Sequence, residues 1–102
     1  MTPSDIHKFA GLFKALGEFN RLSLVYKLCE CQTPQNTMCL CECCSVVASV
    51  VSRHLKVLAQ EEIVSFEKQG REKTYSLNRA YLAQQLRELA DLIENEPLEE
   101  TS

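Results

Sequence analysis

Apolar residues recur at helical spacing from the start of the chain. Ile6, Phe9, Leu12, Phe13 and Leu16 share one face, which predicts a helix over residues 5–16. Ser4 or Asp5 can cap it and Gly17 can end it, because short polar side chains accept from free amides and glycine tolerates the closing turn. A second helix is expected over 19–30, with Leu22, Val25, Leu28 and Cys29 facing inward. Residues 31–36 read as a loop, since Pro34 lacks an amide donor and Asn and Thr favour turns. A short third helix is expected over about 37–44.

The next stretch, Val46-Val47-Ala48-Ser49-Val50-Val51, is β-branched and in isolation suits a strand. Its continuation decides otherwise. Val47, Val51, Leu55 and Leu58 form a helical stripe, with Ser49, Ser52, Arg53 and Lys56 off it, so a helix is expected over 48–60 after a turn at 45–47. Residues 63–68 and 73–77 then alternate on either side of Gln69-Gly70-Arg71, the pattern of a β-hairpin with a basic tip. A final helix over 79–95 carries Leu82, Leu86, Leu89 and Ile93 on one stripe, and Pro97 stops it. With no repeat and no linker, residues 1–102 make one domain, ending in a flexible acidic tail over 96–102.

A single domain of 102 residues has a modest core, and covering an apolar helix face with a second copy would help it. No apolar run near the start suits a signal peptide or membrane span, so a cytoplasmic protein with no membrane partner is expected. The net charge of −3 misleads as to partners. Six of the fourteen acids follow Arg87, and residues 1–87 hold all eleven Lys and Arg against eight acids, a surplus of three. A basic surface can therefore coexist with an acidic end, because phosphate contacts depend on local charge.

Six cysteines fall within sixteen residues: Cys29, Cys31, Cys39, Cys41, Cys43 and Cys44. Structural disulfides are rare in the cytosol, so the cluster points to metal ligation or redox sensing. Thiolates select soft ions: As(III), Hg(II), Cd(II), Pb(II), Cu(I) and Zn(II). On a regular helix Cys39 and Cys41 project about 200° apart. A site using both needs the third helix distorted. Cys39 with Cys43, and Cys41 with Cys44, share faces. Cys29, on the expected inner face, suits a small buried hydrophobe better than a ligand. Three other readings compete: a thiol-redox or reactive-sulfur sensor, a metal buffer, and a Cys-x-x-Cys redox enzyme. No βαβ pattern surrounds Cys41-Glu42-Cys43-Cys44, and a non-enzyme is expected.

The order helix, helix, short helix, helix, hairpin, helix is that of a winged helix-turn-helix. Within it, residues 8–90 resemble the ArsR/SmtB family of metal-sensing repressors. The resemblance rests on Leu12-Phe13-Lys14-Ala15-Leu16-Gly17 with Asn20-Arg21-Leu22, on Ser52-Arg53-His54-Leu55-Lys56-Val57-Leu58, and on Lys68-Gln69-Gly70-Arg71 with Tyr75-Ser76-Leu77. It implies a homodimer through the first and last helices, bound to double-stranded operator DNA and released by a thiophilic ion.

A reading helix offers polar side chains from one face, which makes Ser49, Ser52, Arg53 and Lys56 candidate DNA contacts, with Arg53 suited to guanine. His54 lies near the apolar stripe and suits packing or a phosphate contact better than a metal. Lys68, Arg71 and Lys73 suit phosphates. Cys39, Cys41 and Cys44 repeat the Cys-x-Cys-x-x-Cys of the family's arsenic-responsive branch, which implies As(III) as the favoured inducer. The segment from there to Ser52 is a few residues shorter than in that branch, so Cys43 stays a candidate ligand, with Cys29 and Cys31 behind it.

Overall fold

The computed structural model describes residues 2–42, 44 and 46–95. The first helix, α1 (Pro3–Leu16), begins two residues before the expected start because Thr2, not Ser4 or Asp5, is its cap. The Thr2 hydroxyl accepts from the Asp5 amide at 3.1 Å, and the Asp5 carboxylate accepts from the Thr2 amide at 3.1 Å. That backbone hydrogen bond favours the ionised form and holds the Asp5 carboxyl below its ordinary value. Phe9, Leu12 and Ala15 face the core, while Ile6 and Phe13 are exposed.

The second helix, α2 (Phe19–Glu30), is rotated relative to the expected stripe. Its buried face is Leu24, Val25 and Leu28, and both Leu22 and Cys29 are exposed. The true repeat includes a partly buried polar residue, Arg21, which hid the arc from a reading of apolar spacing. Cys29 is therefore not a buried hydrophobe.

The expected loop over 31–36 ends in a two-residue strand, β1 (Gln35–Asn36), and leads without a linker into α3 (Thr37–Cys41). This helix is shorter than the expected 37–44. The amides of Glu42 and Cys44 bond three residues back, to the carbonyls of Cys39 and Cys41, which closes the turn. Leu40 is fully buried in the core, and Cys41 packs half-buried against it.

The helix α4 (Ala48–Gln60) matches the expected bounds. Val51, Leu55 and Leu58 are fully buried, but Val47 is the exposed N-cap rather than part of the stripe. Its C-terminus is closed by the Ile63 amide bonding Leu58 O and the Glu62 amide bonding Ala59 O, with Glu62 at φ 63°. This is a Schellman closure, with Ile63 buried beneath it.

The hairpin consists of β2 (Val64–Gln69) and β3 (Glu72–Leu77), each shifted slightly from expectation. Gly70 opens the two-residue turn at φ +63°, which only glycine adopts without strain. The sheet order is β1-β3-β2, antiparallel throughout.

The last helix, α5 (Arg79–Glu94), buries Leu82 and Gln85 and exposes Leu86, Leu92 and Ile93. Arg79 ties it to the end of α2 by donating to the carbonyls of Leu28, Cys29 and Cys31 at 3.0, 3.2 and 2.7 Å. Pro97 and the expected tail lie outside the described residues. Among those residues no helix is long and apolar enough to cross a membrane.

Candidate nucleic-acid interface and thiol cluster

α4 and the hairpin flank an open groove of about 820 Å³. Seven of the eight side chains singled out from the sequence line it: Ser49, Ser52, Arg53 and Lys56 from α4, and Lys68, Arg71 and Lys73 from the hairpin. Five are cations, and no carboxylate is among the lining residues. Strand alternation explains the sorting. Phe66, Lys68, Lys73 and Tyr75 face the groove, whereas Ser65, Glu67, Thr74 and Ser76 line a separate cavity with Pro34.

Lys68 and Lys73 are direct cross-strand partners. Like charges so placed cost a few tenths of a kcal/mol to about 1 kcal/mol unless an anion lies between them. Lys73 Nζ also sits 4.7 Å from the centre of the Phe66 ring, which packs tilted against Tyr75 with ring centres 5.9 Å apart. Burial pushes the Tyr75 phenol above its ordinary value. These two aromatics and Thr37 of α3 also line the groove, and the sequence reading did not name them as DNA contacts.

His54 is not among the groove residues. Its Nδ1 lies 3.3 Å from Arg21 Nη1, and its Nε2 lies 3.8 Å from Glu18 Oε1. Arginine can only donate, so Nδ1 accepts and Nε2 carries the proton. Arg21 also donates to the carbonyls of Ala15 and Lys14 at 2.6 and 3.3 Å. One guanidinium thus joins the end of α1, the start of α2 and the back of α4. Glu18 accepts from the Arg21 amide at 2.8 Å, and this bond holds its carboxyl below its ordinary value. Arg21 is therefore a bracket that ties α1 and α2 to α4.

The thiols are close in sequence but sit in different surroundings. Cys29 and Cys39 are exposed; Cys31, Cys41 and Cys44 are half-buried. Cys41 and Cys44 pack against the core, and Cys44 Sγ lies 3.8 Å from the Asn20 carbonyl. Among the described residues, no three Cys, His, Asp or Glu side chains gather in a metal-holding arrangement. Cys43 lies outside them. The reason is the expected one: Cys39 and Cys41 occupy opposite faces of a single turn. The donor chemistry fits a soft ion, and the helical geometry does not bring the donors to one point.

A curated arsenical resistance operon repressor of Bacillus subtilis (strain 168) is 33% identical to this chain over 76 residues, covering 72% of this chain and 69% of that protein. The chain belongs to the ArsR family of winged-helix transcriptional repressors. Among solved structures, an ArsR-like transcriptional regulator from Rhodococcus sp. RHA1 matches with a TM-score of 0.72 at 25% identity, covering 85% of this chain and 80% of that one. A possible transcriptional regulator for arsenical resistance gives 0.68 at 31% identity, covering 82% and 84%. No family model matches the chain. In this winged helix-turn-helix fold the β2–β3 hairpin is the wing.

Proposed function

We propose that this ArsR-family protein is a homodimer that holds operator DNA while its thiols are empty and releases it when a thiophilic metal or metalloid binds. The observation that carries the DNA half is the groove, where five cations from two separate elements converge with no carboxylate among the lining residues. Ser49, Ser52, Arg53 and Lys56 meet the major groove, Arg53 forming a bidentate contact to guanine. Lys68, Arg71 and Lys73 meet phosphates or the adjacent minor groove. His54 belongs to the frame behind α4.

Dimerisation is supported by what α1 and α5 leave open. Ile6, Phe13, Leu86, Leu92 and Ile93 are exposed, and Gln85 Oε1 is buried without a hydrogen-bond partner among the described residues. A second copy on these helices covers the apolar seam and offers a donor to Gln85. The two reading helices then meet major grooves about 34 Å apart.

The proposed ion ligands are Cys39, Cys41 and Cys44, with Cys43 as the alternative third donor. Three sulfurs suit As(III), and the two arsenical-resistance relatives favour it. Hg(II), Cd(II), Pb(II), Cu(I) and Zn(II) are chemically related competitors. Gathering the donors requires α3 to open and Cys41 and Cys44 to leave the core. α3 packs on α4. The ion therefore stabilises a conformation that DNA does not, which is negative coupling.

The exposed thiols of Cys29 and Cys39 favour one second reading, a repressor of the same fold released by oxidation. Both are tested by adding each ion, and separately an oxidant, to reduced protein on labelled DNA from its own promoter region. Release near one equivalent of As(III) per site supports the first reading. Release by oxidant alone, reversed by reductant, selects the second. Release by neither overturns both.

A further inference from the structure

Asn36 is at once the last residue of β1 and the N-cap of α3. Its Oδ1 accepts from the Cys39 amide at 2.9 Å, and its Nδ2 donates to Glu72 Oε2 at 2.9 Å. One side chain thus joins Cys39, the first cysteine of α3, to the wing, at the residue between Arg71 and Lys73. The backbone makes the same connection, since β1 pairs with β3, Gln35 opposite Tyr75 and Asn36 opposite Thr74.

We propose that Asn36 is the positioning residue through which the thiol cluster sets the wing. This rests on the reading of Cys39 to Cys44 as the ion site. Ligation by both Cys39 and Cys41 opens the first turn of α3, because their side chains start about 200° apart. Opening withdraws the Cys39 amide from Asn36 Oδ1, the cap is lost, and Asn36 no longer holds Glu72. A strand of two residues has little pairing of its own to resist this. β3 is then released along its outer edge, and Lys73 moves with its cross-strand partner Lys68. DNA release therefore begins with lost phosphate contacts at the wing, while the base-reading face of α4 is still intact.

The mechanism separates two roles of one side chain. Asn36→Asp keeps the acceptor for the Cys39 amide, since Asp caps as well as Asn. It removes the donor and sets a carboxylate against Glu72. The expected result is weaker DNA binding by ion-free protein, a shallower slope of log affinity against log salt, and an As(III)-induced change in DNA affinity at least about 5-fold smaller than wild type. As(III) stoichiometry stays unchanged.

Adding Glu72→Gln to Asn36→Asp restores a donor–acceptor pair of reversed polarity and should recover both slope and induction. Should Asn36→Asp fail to fold, Glu72→Ala leaves the cap in place and should give the same loss. Wild-type induction in Asn36→Asp, or no recovery in the double variant, overturns the role of Asn36. A wild-type complex unmoved by As(III) instead overturns the functional reading, and this inference with it.

Discussion

Glu62 holds a backbone conformation that suits glycine. At φ 63° its Cβ crowds the following carbonyl, a cost of roughly 1–2 kcal/mol that the Schellman closure of α4 imposes. Glu62→Gly removes that crowding and gives back part of the gain as unfolded-chain entropy. The net expectation is a stability increase of about 0.5–1 kcal/mol, read from the midpoint of urea unfolding. An unchanged or lower midpoint would mean that the Glu62 side chain makes a compensating contribution. The end of α4 falls where the sequence places it, but the left-handed closing residue at Glu62 was not legible. The usual stop signal is a glycine, and this chain makes the same turn without one. The contact between Arg21 and His54 was hidden for a related reason. A polar side chain on an inner face breaks an apolar stripe, and its bond to another helix has no counterpart in local sequence.

At the scale of elements, legibility followed the strength of the periodic signal. α4 was readable to its bounds because Val51, Leu55 and Leu58 repeat cleanly and the polar residues fall on the other face. The wing was readable because alternation and Gly70 agree. β1 was not, since two polar residues beside Pro34 carry no apolar pattern and exist as a strand only through β3. α3 was overextended because cysteine reads as apolar whether it packs or binds, and Leu40 is its one fully buried residue among those described.

The surface role of α4 gives its own test. Arg53 is exposed in the groove, so Arg53→Ala should leave the thermal melt unchanged. It should lower affinity for the promoter at least about 5-fold, given about 1–3 kcal/mol for a bidentate guanine contact. Undiminished gel retardation would remove α4 from the base-reading role.

For the whole molecule, the exposed seam of α1 and α5 and the thiol cluster make separate demands. α5 packs near its start and leaves Ile93 74% exposed, so the proposed dimer would have to cover much of the helix. Leu86→Asp with Ile93→Asp should shift sedimentation from dimer to monomer and reduce DNA affinity, because one half-site holds far fewer phosphates. A monomeric wild type, or a dimer that survives both changes, would place the interface elsewhere.

The central claim is that ion capture beside α4 dislodges the DNA-binding groove. It is tested most directly by fluorescence anisotropy of labelled promoter DNA during an As(III) titration. The proteins to compare are wild type and the variant carrying serine at positions 39, 41, 43 and 44. The account predicts that both bind DNA when ion-free, that As(III) releases the wild type, and that the serine variant stays bound. Equal release of the two proteins would contradict it.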